Sequence, residues 1–128
     1  MTYLSLLLIA KVVVTIAVVC IPFFFFKKET LDRMSGFGSP NIAMYRLYGM
    51  AITALVVAYS GGFLQTLAGE YPAQIVAMGL ASNVGASVLM VTTGYVRSQG
   101  ILTGFFGIIG IGFIIAALAP SFAMTAVF

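Results

Sequence analysis

Apolar residues occupy four long stretches of this chain, separated by three polar interruptions. Residues 3–26 are rich in Leu, Val, Ile and Phe and hold one charge, Lys11. Residues 42–67 are apolar after Arg46, and neither 72–96 nor 101–128 contains a charge. Each stretch reaches the roughly 20 residues a helix needs to cross hydrocarbon, where backbone amides must be satisfied within the segment. None shows the period-two alternation of a barrel strand. The pattern predicts an all-α integral membrane protein, a bundle of four transmembrane helices at about 3–26, 42–67, 72–96 and 101–126. Pro120 is placed to kink or shorten the last of them. One domain spanning 1–128 is expected.

The first stretch differs from a signal peptide because its positive charges, Lys27 and Lys28, follow the apolar run, and no small-residue cleavage site closes it. It reads as a retained first helix. Only one connection is long, residues 27–41. Its charged first half either continues helix 1 or lies at the interface, and its second half is rich in turn residues. The tight connections at 68–71 and 97–100 make the second and third helices, and the third and fourth, antiparallel neighbours.

Composition narrows the chemistry. The chain has 128 residues, 62% hydrophobic and only 7% charged, where a soluble domain carries roughly 25% charged. That excludes a soluble globule and a disordered tail. With no His, one Cys and three carboxylates (Glu29, Asp32 and Glu70), neither a metal site nor a catalytic triad is expected, and the reading is non-catalytic. Five of the six basic residues, Lys27, Lys28, Arg33, Arg46 and Arg97, flank one side. The positive-inside rule makes that side cytoplasmic, with the 27–41 loop inside a plasma (inner) membrane and both termini outside. Lys27, Lys28, Arg33 and Arg46 are candidate lipid-headgroup contacts. The net charge of +3 follows from these topology signals, so nucleic acid is not an expected partner.

Small residues recur at helical spacing: Gly79 and Gly94 on the third helix, and Gly104, Gly107, Gly110 and Gly112 on the fourth. Such residues let helices approach closely, within the bundle or against a partner chain. Because the fourth helix carries glycines on several sides, one face is free to pack internally while another meets a second protein.

Lys11 is the one charge inside a predicted span. It lies eight residues beyond Tyr3, about 12 Å along a helix. Laid out from their outer ends, the other helices bring Tyr59, Ser60, Asn83 and Ser121 to similar depth. Together with Lys11 they form a candidate intramembrane polar layer. Three readings stand: Lys11 donates to Asn83, Tyr59, helix carbonyls or Glu70; it meets an anionic ligand in an outward-facing cavity; or it faces a partner subunit with the missing carboxylate.

In size and helix count the chain is similar to the small multidrug-resistance transporters. Those proteins depend on a glutamate within their first helix, whereas this chain has Lys11 there and no carboxylate in any span, so no site residue carries over. The favoured expectation is an accessory or assembly subunit packing against lipids, other membrane subunits or copies of itself. A small oligomeric transporter or channel using Lys11 is the alternative. No cofactor is expected, although a lipid or quinone bound as a structural ligand fits the composition.

Overall fold

Each apolar stretch closes its own backbone hydrogen bonds by coiling into a helix, as an apolar solvent demands. The computed structural model describes residues 1–36, 38 and 41–128, and among them no strand forms beyond one bridge between Thr2 and Ala126. In chain order the helices are α1 (Tyr3–Phe25), α2 (Lys28–Ser35), α3 (Ile42–Leu67), α4 (Ala73–Thr92), α5 (Gly100–Leu118) and α6 (Pro120–Ala123). Four of these, α1, α3, α4 and α5, are long and apolar enough to cross a membrane.

The first of them starts with a reciprocal cap. Ser5 N donates to Thr2 Oγ1 at 3.1 Å while Thr2 N donates to Ser5 Oγ at 2.7 Å, which fills two of the donors every helix start leaves open. Its buried residues, Leu4, Ser5, Leu8, Lys11, Val12 and Thr15, recur at the spacing of one helix face. Pro22 has no N–H for the carbonyl four residues back. The turn before it, Ile16–Cys20, widens to π geometry, and the helix runs on to Phe25. Phe26 is extended (φ −79°, ψ 155°), so α2 does not continue α1. Arg46 closes the end of α1 by donating to the carbonyls of Phe23 and Phe26. The short amphipathic α2 is anchored by its fully buried Leu31.

Two helix pairs make the bundle. α1 packs chiefly on α3, and α5 on α4, while α1–α5 and α3–α4 contacts join the pairs. Glycines sit where these helices press together. A Cβ on Gly79 would lie 2.5 Å from the Phe113 ring, one on Gly62 2.7 Å from Ile75, and one on Gly112 2.8 Å from Leu7. Gly49 against Phe23 (3.0 Å) and Gly110 against Val84 (3.1 Å) are nearly as close. Gly107 meets only Ser87 Oγ at 3.9 Å, and Gly104 has no neighbour within 4 Å. Gly94, expected as a packing glycine, also has none; its φ of +76° ends the helix instead. As a result α4 stops at Thr92 rather than near residue 96, and Tyr95–Arg97 form a 3₁₀ turn.

The fourth span is shorter than the expected 101–126. Pro120 cannot donate to Ala116 O, and Ala119 leaves helical geometry (φ −133°, ψ 66°), so α5 ends at Leu118. The orphaned carbonyl is not left empty. Tyr71, in the turn between α3 and α4, donates its hydroxyl to Ala116 O at 2.8 Å.

Two predictions follow from this packing. Tyr71→Phe should cost about 1 kcal/mol, within the measured spread for intramembrane hydrogen bonds, and the cost should shrink when Pro120→Ala restores a helical donor for Ala116. A double-mutant cycle of unfolding in mixed micelles measures this coupling. In the same assay Gly79→Ala should destabilise by roughly 1–3 kcal/mol through overpacking against Phe113, whereas Gly104→Ala should stay within about 0.5 kcal/mol.

Candidate functional site

The polar residues at mid-bundle sit where α4 departs from regular helix. Between Gly79 and Gly85 the turn Leu80–Val84 is π-helical, which brings Ser82 and Asn83 to the same Tyr59 hydroxyl. Tyr59 OH lies 2.8 Å from Ser82 Oγ, and Asn83 Nδ2 donates to Tyr59 OH at 3.1 Å. The same amide reaches Gly79 O at 2.8 Å and Ser82 Oγ at 3.2 Å, so its two hydrogens are shared among three acceptors. The Phe113 ring covers this group, stacked on Tyr59 at 5.9 Å and seated on Gly79. Tyr59 is 1% exposed and Asn83 0%. One atom of the network is unfilled: among the described residues Asn83 Oδ1 is the enclosed side-chain N or O without a hydrogen-bond partner.

Lys11 does not join it. The residue is 5% exposed, and its ammonium lies over two aromatic rings of α5, 5.0 Å from the centroid of Phe105 and 4.7 Å from that of Phe106. None of the expected donations, to Asn83, Tyr59, a helix carbonyl or Glu70, is made. Cation–π attraction takes their place, worth up to about 2 kcal/mol per ring when desolvated.

The proposed layer therefore separates into parts. Tyr59 and Asn83 meet, with Ser82 as the third member. Ser60, one residue and about 100° of helix turn from Tyr59, bonds back to Val56 O at 2.8 Å. Ser121 lies past the end of α5, exposed on α6, because Pro120 stops the helix that was to carry it to depth. Beside it a groove lined by Tyr3, Leu7, Gly112 and Phe122 opens to the surface, and another is lined by Gln65, Glu70, Tyr71 and Gln74. Neither groove reaches Lys11 or Asn83.

The basic residues at the opposite end divide in the same way. Lys28 pairs with Asp32 at 2.6 Å, and that hydrogen bond is the leading cause raising the Lys28 ammonium above its ordinary pKa. Arg46 is committed to the α1 carbonyls. Lys27, Arg33 and Arg97 are exposed. Behind them Tyr45 donates to Asp32 Oδ1 at 2.6 Å, Tyr95 to Ser35 O, and Gln99 Nε2 to Met34 O at 3.0 Å. These bonds clamp the C-terminal half of α2 onto the start of α3 and onto the connection between α4 and α5. Burial, followed by the neighbouring Tyr45 and Tyr48, pushes the Tyr95 phenol up.

Compared with family models, curated proteins and solved structures, the chain matches none. Function has to be argued from the site itself.

Sequence reasoning found Tyr59, Asn83 and Lys11, but missed Phe105 and Phe106 as the seat of the lysine and Tyr71 as the partner of Ala116. An adjacent Phe pair in a lysine-bearing bundle is a weak signal. The absent donor at Pro120, by contrast, poses an accounting question that the sequence already contained.

If Tyr59, Ser82 and Asn83 act as one unit, Tyr59→Phe should cost about 1 kcal/mol and couple to Asn83→Ala by roughly 0.5–1.7 kcal/mol. Ser60→Ala and Ser121→Ala, outside the network, should each change unfolding stability by less than about 0.5 kcal/mol.

Proposed function

We propose that this chain is a non-catalytic accessory or assembly subunit of a larger membrane complex, a small multi-pass protein that packs against lipids and partner helices. The observation that carries the reading is the fate of its polar groups. Thr53, Ser60, Ser87 and Thr103 return their hydroxyls to carbonyls one turn back in their own helices. Tyr59, Ser82 and Asn83 close on one another, and the ring of Phe113 seals them. The first four hydroxyls are spent within their own helices, and the Tyr59 group ties α3 to α4. Gly104, with its open flank on α5, offers room for close approach by a further helix.

In this reading the chain lies in a plasma (inner) membrane with the 27–41 loop cytoplasmic and both termini outside. What supports that orientation is the gathering of Lys27, Arg33 and Arg97, all exposed, at the end of the bundle tied together by Tyr95 and Gln99. Lys27 and Arg33 are the residues free to meet anionic headgroups, since Lys28 and Arg46 are engaged within the chain.

Purification from native membranes in mild detergent tests the proposal. The expected result is co-migration with other membrane chains or a defined self-assembly, identified by native mass spectrometry. A monodisperse lone monomer sinks it. The second reading, a small oligomeric transporter or channel, is favoured by one observation: two polar groups deep in the spans, the Lys11 ammonium and Asn83 Oδ1, have no polar partner among the described residues. On that reading Lys11→Met abolishes a measurable flux in reconstituted vesicles at unchanged expression. Unaltered flux removes it.

A further inference from the structure

Lys11 is nineteen-twentieths buried, yet among the described residues its ammonium has no hydrogen-bond acceptor, only the faces of Phe105 and Phe106. Asn83 Oδ1 is the fully enclosed, unpartnered polar side-chain atom among the described residues, whereas Lys11 keeps 5% of its surface accessible. Its ammonium lies at the seam between α1 and α5, over the two α5 rings.

Depth decides what can reach it. Lys11 stands eight residues from the Tyr3 end of α1, about 12 Å of helix rise. The two helices are held in register where Leu7 sits against Gly112. From Leu7 to Lys11 is about 6 Å of helix rise and from Gly112 to Phe105 about 10 Å, so the rings lie about 4 Å deeper than the lysine backbone. The side chain thus runs away from the nearer headgroups, toward the middle of the hydrocarbon. Snorkelling would have turned it the other way. Headgroup phosphates are out of reach at this depth, and acyl chains supply no acceptor.

A second copy of this chain is equally unsuited. Its three acids, Glu29, Asp32 and Glu70, all lie outside the spans, and Asp32 is already bonded by Lys28 and Tyr45. Charged residues within membranes pair with opposite charges from neighbouring helices. We propose that the α1–α5 seam at Lys11 is the docking point for a transmembrane helix of a different protein, one carrying an Asp or Glu at matching depth. The carboxylate accepts from the ammonium while the Phe rings hold the other side of the cation. This rests on the accessory-subunit reading and names its partner by chemistry.

The test places a photo-crosslinking benzoylphenylalanine at Ala10, exposed and adjacent to Lys11, and in a control at Val57, 68% exposed on α3. The full chain is crosslinked in native membranes and adducts are sequenced by mass spectrometry. The expected adduct from Ala10 is a transmembrane segment of another protein bearing an acid. Its yield should fall at least tenfold with Lys11→Met, persist with Lys11→Arg, and fall equally when the partner's acid alone becomes its amide. Neutralising both should restore most of it, because breaking a buried pair strands a charge while replacing both members does not. The partner-side change leaves this chain's folding untouched, so a misfolded Lys11→Met variant cannot mimic the result. Adducts to a second copy, to a segment without an acid, or of a yield indifferent to Lys11 overturn the seam proposal and leave the accessory reading standing. Protein adducts from Val57 but none from Ala10 do the same. No protein adduct from either position, with a lone monomer on purification, overturns both.

Discussion

A backbone or side-chain polar group inside hydrocarbon has no water to fall back on, and nearly every local choice in this chain answers that constraint. The hydroxyls of Thr53, Ser60, Ser87, Thr92 and Thr103 all turn to a carbonyl of the preceding helical turn. Pro22 and Pro120, near the C-terminal ends of α1 and α5, pose the same problem and receive different solutions. At Pro22 the helix absorbs the missing donor by widening into a π turn. At Pro120 it stops, and Tyr71 from another helix connection supplies the donor. Arg46 serves the open carbonyls at the end of α1. The constraint thus produces tertiary contacts, since a carbonyl that cannot be satisfied locally recruits a side chain from elsewhere.

Packing around the centre follows from one large ring meeting one absent side chain. Phe113 rests on Gly79 and against Tyr59, and the ring then shields the hydrogen bonds among Tyr59, Ser82 and Asn83. The π turn is what lets consecutive residues 82 and 83 both face Tyr59, because one extra residue in the turn shifts the register of the side chains that follow. Asn83 Oδ1 is the residue of that arrangement: with the amide nitrogen drawn to Gly79 O and two hydroxyls, the oxygen is left enclosed and empty.

Much of the fold was legible because the spanning-length rule depends on composition alone. The four spans begin within a residue of their expected starts. The ends of α1 and α3 agree equally well, whereas those of α4 and α5 were less legible, for physical reasons that differ by case. Gly94 resembles a packing glycine in spacing, and only its positive φ reveals that it ends α4. Ser121 entered the polar layer on the assumption of a continuous last helix, which the missing N–H of Pro120 denied. Depth counting also treats a residue as sitting at its Cα, and so it misjudged Lys11, whose long stem carries the charge toward Phe105 and Phe106. Tyr59 and Asn83, placed at one depth by the same counting, do meet through the Asn83 amide.

The energy of that lysine explains why its placement matters. On insertion scales a lysine near a span's centre costs about 2.5–3.5 kcal/mol, where a leucine contributes a few tenths favourably. Two desolvated cation–π contacts, each worth roughly 0.5–2 kcal/mol, offset most of that cost. The rings therefore make Lys11 tolerable in the chain alone, and the bundle can insert before any partner arrives. They do not make it preferable to leucine, which would fill the same seam at no cost. Nor do they fill the three N–H donors, since an aromatic face attracts a cation without accepting a directed hydrogen bond as an oxygen does. A group that is held in place, nearly desolvated and still lacking an acceptor is prepared for one, and a carboxylate at that depth gains a strong charge-assisted bond without having to order the lysine first.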